Sequence, residues 1–596
     1  MAALKTPVAS GNWNAGATWN GGTVPLNTDD VEITSTYSVA ITANATCNSI
    51  LVDAGGTLSS TNFNLISTTF ATVNGTFTYT GTGNLTVGTI FTNTGSYTQG
   101  SGTLTVTGNF SNSGTFTSNT GTVLFNGVGQ TLTAGGMTFY NLTIAVGAAN
   151  TVTLGSNITV SNNLLLTTGT LDVSASNYQI TCTSNSFFTN NSATTALTAR
   201  AGTVVFGQNS TLNGAQVTNF YNLTISPGAG FGVTATATNE NIANNLVVTN
   251  GTLTTNNRTF NVTNNVINSG TITFTGGTLN ITDSLINNNG ATINYNNGTL
   301  AVTGDIDNSG AITFTGAGAV TAANLFDLGA GGNITGLTST FTLTGNATLT
   351  AGAAMSFTTG RLTVPGNFVN GGAYTTGSSA NALKIGGSFV NTGTFTATAL
   401  GTVTFNGTIA QNISGNAVTF YNITINNTGG TAATNIVDLA YASTTTLTVT
   451  NNLTITAGIL DAGALNNQIT IQGSFTNSSA SLVGGVGPAL GFNAEAATVD
   501  FGGGAAFVTP LQMNSGGKVT TFYNVIIDPG ALDSVKENNG GSNPNIVSNN
   551  LSINSGFLAL DNFSLTVGGN VTIAANSMFR ETSGTATISG NVNIAS

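Results

Sequence analysis

The chain has 596 residues, too many for one compact core, and only 5% of them are charged, against about 25% in an ordinary soluble domain. Net charge is −11, histidine is absent, and the eight basic residues form no cluster, which excludes nucleic-acid binding through a basic stripe. No run of 18 apolar residues occurs, so no membrane-spanning helix is expected. Low charge alone would fit disorder, but 32 Phe and abundant Val, Ile and Thr argue for an ordered sheet. With 78 Gly and many Thr, Asn and Ser, the polar surface consists of hydroxyls and amides rather than ions.

In chain order, the opening M-A-A-L-K-T-P-V-A-S lacks the apolar core of a signal peptide. We read the chain as most or part of a longer secreted polypeptide. Residues 1–55 are assigned as an N-terminal cap, because they hold both tryptophans, Trp13 and Trp19, and the acidic trio Asp29, Asp30 and Glu32. A solenoid needs an atypical end to cover its first winding, and bulky aromatics suit that task.

From residue 56 to 596 the sequence predicts a continuous parallel β-helix (β-solenoid) of windings of about 20 residues, all-β in class. G-T-F-T (75–78), G-S-Y-T (95–98) and G-T-F-T (114–117) recur every 19 or 20 residues. Interleaved with them are N-L-T-V (84–87), T-L-T-V (103–106) and T-V-L-F (122–125). Each winding therefore carries at least two short strands with apolar residues inward and Thr outward. Gly and Asn at the corners let the backbone bend. Gly270, Gly290 and Gly310 open matching phrases 20 residues apart, and about 30 windings are expected in all.

A larger module lies over this period. Phe139-Tyr140-Asn141, Phe220-Tyr221-Asn222, Phe420-Tyr421-Asn422 and Phe522-Tyr523-Asn524 each precede an alternating strand, and each is followed by an Asn-Leu pair and a Gly-x-Leu. This indicates duplicated multi-winding modules, with loops of variable length between the motifs. The segment 528–545, with four charges, is the most distinctive such loop.

Catalytic readings find little support in these residues. Polysaccharide-cleaving β-helices need carboxylates stacked on neighbouring windings. Asp283, Asp305 and Asp307 approach that spacing, but alignment on Gly290 and Gly310 sets Asp305 against Leu285 and leaves no carboxylate ladder. Asp172 and Asp461 read as surface positions. No metal or cofactor site is expected: there is no histidine, and Cys47 and Cys182 lie too far apart to pair, so Cys182 reads as a small core residue. Outward Thr in T-x-T strands suits ice or sugar binding, though Thr is also the polar residue with the best strand propensity. The Phe-Tyr-Asn rings are read as core and corner residues, with sugar stacking as the other reading.

W-N-A-G-A-T-W-N-G-G-T-V-P (13–25), D-D-V-E-I (29–33) and G-T-L-T-V-T-G-N-F-S-N-S-G-T-F-T (102–117) resemble the large secreted β-strand-repeat surface and adhesin-like proteins of Bacteroidota, many of them type IX secretion substrates. The resemblance implies a bacterial cell-surface or extracellular location and a structural or adhesive role as stalk, fibre or filament subunit, or adhesin shaft. It transfers no catalytic residue. The expected partners are further copies of the chain and cell-surface or matrix components, carbohydrate among them. A carbohydrate-binding or polysaccharide-cleaving β-helix is the alternative, and an ice-binding solenoid a more remote one.

Overall fold

Alternation of side chains along each strand organises the whole structure. In Thr76–Tyr79, Phe77 and Tyr79 are buried while Thr76 and Thr78 face out, and the same parity recurs in Thr103–Val106, Thr122–Phe125 and Thr271–Phe274. The computed structural model describes residues 3–193, 195–236, 239–481, 491–503, 510–538 and 544–596. About 1% of the chain is helical, and the strands build parallel β-solenoid windings, about 26 of them at near 21 residues each. The windings are thus fewer and slightly longer than the glycine period suggests, because corners carry extra residues. The chain divides into two units, residues 1–283 and 284–596.

In the first unit a winding has three strands, in keeping with the two or more expected. Ser49–Val52, Thr57–Ser60 and Leu65–Ser67 make one winding, and Ala71–Val73, Thr76–Tyr79 and Leu85–Val87 the next. Each strand pairs in parallel with its equivalent: Ile50 with Ala71, Leu58 with Phe77, Leu65 with Leu85. Pairing starts inside the segment read as a cap, where Leu4–Lys5 joins Asp30–Ile33 and Gly11–Asn12 joins Ser38–Ile41. The tryptophans lie buried there, edge to face at 5.1 Å, and Trp19 Nε1 donates to the Trp13 carbonyl at 2.6 Å. An isolated antiparallel bridge ties Pro7 to Trp19.

Identical inward positions stack through the core. Phe77, Tyr97 and Phe116 follow one another on successive windings, with ring centroids 5.5 and 5.0 Å apart, beside the stacked pair Phe91 and Phe110 at 5.2 Å. Such contacts contribute about 0.5–1.5 kcal/mol each beyond the area they bury. Cys47 and Cys182 are both free and fully buried, and burial pushes each thiol up to about 12.

The second unit repeats the scheme. Leu285–Asn287, Thr292–Tyr295 and Thr299–Val302 pair with Ile306–Asn308, Ala311–Phe314 and Ala319–Ala322. Its core carries Tyr295, Phe314, Phe341 and Phe357, with successive centroids 5.2, 5.0 and 5.5 Å apart. The segment 528–545 is not simply a loop: Ser534–Glu537 is a strand that pairs with Leu511–Asn514 and Phe557–Ala559. Residues 539–543 of that segment lie outside the described residues.

Glycines 20 residues apart turn out to do different work. Thr292 pairs with Ala311, so Gly310 lies opposite Ala291 and not Gly290. Gly290 has φ +80° with open space around it, whereas a Cβ on Gly310 would strike the carbonyl oxygens of Ala291 and Asn288. Asn tolerates a positive φ and should therefore replace one glycine but not the other. Gly290→Asn is expected to leave the urea unfolding midpoint nearly unchanged. Gly310→Asn should lower stability by roughly 1–3 kcal/mol through overpacking.

Candidate functional site

Backbone donors and acceptors on the ladders are consumed by neighbouring windings, so chemistry must come from side chains. Of each Phe-Tyr-Asn motif, Phe139, Phe220, Phe420 and Phe522 are buried, while Tyr140, Tyr221, Tyr421 and Tyr523 are half-exposed. The asparagine closes the corner. Asn141 Oδ1 accepts from Asn162 Nδ2 at 2.7 Å, Asn222 from Asn244 at 2.8 Å, Asn422 from Asn451 at 2.8 Å and Asn524 from Asn549 at 3.0 Å. Each donor stands just before the Asn-Leu pair of the next winding, so the two motifs are the two halves of one amide ladder. Asn264 extends it beyond Asn244 at 2.9 Å.

A second, exposed ladder runs through Asn219, Asn241, Asn261 and Asn280, with bonds of 2.8, 2.9 and 2.8 Å. Each such bond contributes about 1 kcal/mol net. These asparagines hold neighbouring windings together and have little capacity left for a ligand.

The carboxylates behave differently from their reading in the sequence. Asp172 is not a surface position: it is buried and accepts both guanidinium bonds of Arg200, at 2.6 and 2.7 Å. Those bonds hold its carboxyl below the usual carboxylate range. Asp461 accepts from the Gly463 amide and from Asn493 Nδ2, both at 2.8 Å. Asp305 does not face Leu285, because Leu285 pairs with Ile306; its amide instead reaches Ser284 Oγ at 3.4 Å. Asp305 accepts from Asn324 Nδ2 at 2.8 Å, and partial burial, then the charge of Asp305, raises Asp307. On the next winding Phe326 lies beside Asp307, so the two carboxylates do not continue as a ladder.

The carboxylate that the sequence pattern hides is Asp327. It closes a buried column in which Asn287 Nδ2 donates to Asn308 Oδ1 at 2.7 Å and Asn308 Nδ2 donates to Asp327 Oδ1 at 2.6 Å. Its other oxygen is buried without a hydrogen bond. Burial pushes Asp327 up to about 7. Glu537 is also pushed up to about 7 by burial, against two bonds from Asn545 Nδ2 at 2.6 and 2.9 Å. Among the described residues no cluster of three His, Cys, Asp or Glu could hold a metal ion.

Among the outer surfaces of the described residues, two offer a distinct set of contacts to a ligand. One is a shallow groove of about 320 Å³ lined by Asn185, Phe187, Asn209, Thr211, Gly232 and Thr234, where the Phe187 ring is 44% exposed. The other is the outward face of Ser38–Ile41, Thr57–Ser60, Thr76–Tyr79, Ser96–Thr98 and Thr115–Thr117.

The folded chain keeps the Asp327 proton up to about pH 7, whereas an unfolded aspartate releases it near its ordinary 3.8. Stability therefore declines as pH rises through that interval. Asp327→Asn, which keeps the shape and removes the charge, should raise the melting temperature at pH 8. The expected gain is on the order of 4 kcal/mol, since about three tenfold steps in proton affinity separate 3.8 from about 7 and each corresponds to about 1.4 kcal/mol. At pH 4 the gain should nearly vanish.

No family, curated protein or solved structure matches the chain.

Proposed function

We propose that the chain is an extracellular structural and adhesive β-solenoid, a shaft or fibre-forming part of a bacterial surface protein that acts without a cofactor. The observation that carries this reading is how the polar groups are used. Among the described residues of each unit, backbone ladders bind winding to winding and amide ladders join many of them, while the outer surface carries few charges and many hydroxyls. That division suits a load-bearing element that presents contacts along its faces. Few charges oppose contact between copies, which favours self-association. The resemblance of the opening residues to Bacteroidota surface repeats supports the same location.

The groove beside Phe187 favours a second reading, binding of a neutral carbohydrate. A half-exposed ring flanked by Asn185, Asn209 and Thr211 offers a stacking surface with amide and hydroxyl partners.

Antibody raised against the chain should label intact cells of its source as strongly as permeabilised ones. Labelling that needs permeabilisation would overturn the surface location. On a panel of soluble polysaccharides the chain should release no new reducing ends. Hydrolysis that disappears in an Asp305→Asn, Asp307→Asn double variant would instead establish an enzyme. Retention on a neutral polysaccharide that Phe187→Ala abolishes would establish the second reading.

A further inference from the structure

The strands Ser38–Ile41, Thr57–Ser60, Thr76–Tyr79, Ser96–Thr98 and Thr115–Thr117 present two parallel columns of outward side chains. One column is Ser38, Thr57, Thr76, Ser96 and Thr115; the other is Ala40, Ser59, Thr78, Thr98 and Thr117. Nine of these ten positions carry a hydroxyl, and none carries a charge or a ring. Among the described residues none of the nine hydroxyls is engaged in a hydrogen bond, unlike the asparagines of the corners.

The other two faces of the same windings do not share this pattern. One shows Glu32, Leu51, Thr72, Thr92 and Ser111 in register, the other Thr46, Ile66, Thr86, Thr105 and Leu124. Thr is common throughout the chain, but a doubled column of hydroxyls without a carboxylate or a large apolar side chain distinguishes this face from its two neighbours.

The face is also stiff. Beneath it Leu58, Phe77, Tyr97 and Phe116 stack on successive windings, all buried and in register. Parallel pairing sets the hydroxyl repeat at about 4.8 Å from winding to winding and about 6.6–6.8 Å between the two columns. A ligand for this surface must be flat, uncharged and periodic in two dimensions, with oxygens at comparable repeats. A soluble sugar is recognised by ring stacking and a cleft, and the rings here all point inward. A charged polymer would find no counter-charge.

We propose that the Ser38–Thr117 face binds ice, with its hydroxyls taking lattice positions for water oxygens and the threonine methyls excluding liquid water between them. The inference goes beyond the structural role and holds whether or not the chain is displayed on a cell.

Slow directional freezing of a dilute solution of the whole chain tests it. The protein should be incorporated into the ice, while serum albumin in the same tube is rejected into the liquid. Thr78→Lys, which sets a charge at the centre of the face, should abolish incorporation. Thr92→Lys on a neighbouring face should leave it intact. Unchanged circular dichroism and melting temperature establish that each variant folds; if Thr78→Lys melts early, Thr117→Lys at the exposed last rung serves in its place. Rejection of the unsubstituted chain from ice would overturn the proposal. So would incorporation that persists in a folded Thr78→Lys or Thr117→Lys variant, or retention on insoluble cellulose together with exclusion from ice.

Discussion

In-register parallel pairing between successive windings is the constraint on which the rest of the structure depends. Once Leu58 lies beside Phe77, and Phe77 beside Tyr97, every inward column and every outward column is determined, because a slip of one residue would turn the apolar set toward water. The core is consequently a set of stacked like residues rather than an irregular packing. Within each unit that explains how a chain with 5% charged residues, and three ion pairs among the described residues, is held together: the pairing repeats from winding to winding.

Much of this was legible in the sequence, because the period of two within a strand and the period near 20 between windings both leave their mark on short segments. The strand parity of T-F-T-Y and T-L-T-V could be read directly. The Phe-Tyr-Asn and Asn-Leu motifs were also visible, though not the reason for their association, which is an amide bond between consecutive windings. What misled was taking glycine as the ruler. Gly290 supplies a left-handed φ and Gly310 a close approach to the previous winding, so equal spacing hides a one-residue difference in position. The same slip set Asp305 against Leu285 and drew attention away from Asp327. Aligned on Leu285, Ile306 and Leu325 instead, the third residues Asn287, Asn308 and Asp327 fall into a single inward column.

Contacts between distant segments left no local signal. Asp172 looks like any carboxylate after a Gly-x-Leu, and only the fold brings it to Arg200, 28 residues on. Likewise, nothing in S-V-K-E marks Glu537 as buried or points to Asn545 as its partner.

The polar residues of this chain fall into two economies that the composition alone does not separate. Asparagine has both a donor and an acceptor on a planar amide, so one residue per winding can bond both ways and propagate a ladder, as Asn241 does between Asn219 and Asn261. On the Ser38–Thr117 face the threonine hydroxyls point outward, with the next hydroxyl of the column one winding away at about 4.8 Å, beyond hydrogen-bond reach. The amide columns are therefore self-satisfying, and the hydroxyl columns of this face are not. Replacing outward Thr by Asn along the Thr57–Thr115 column would give a more cohesive but chemically closed face. The use of Thr and Ser there keeps the hydroxyls unbonded and available, so whatever recognition the surface performs is concentrated where cohesion does not need the side chains.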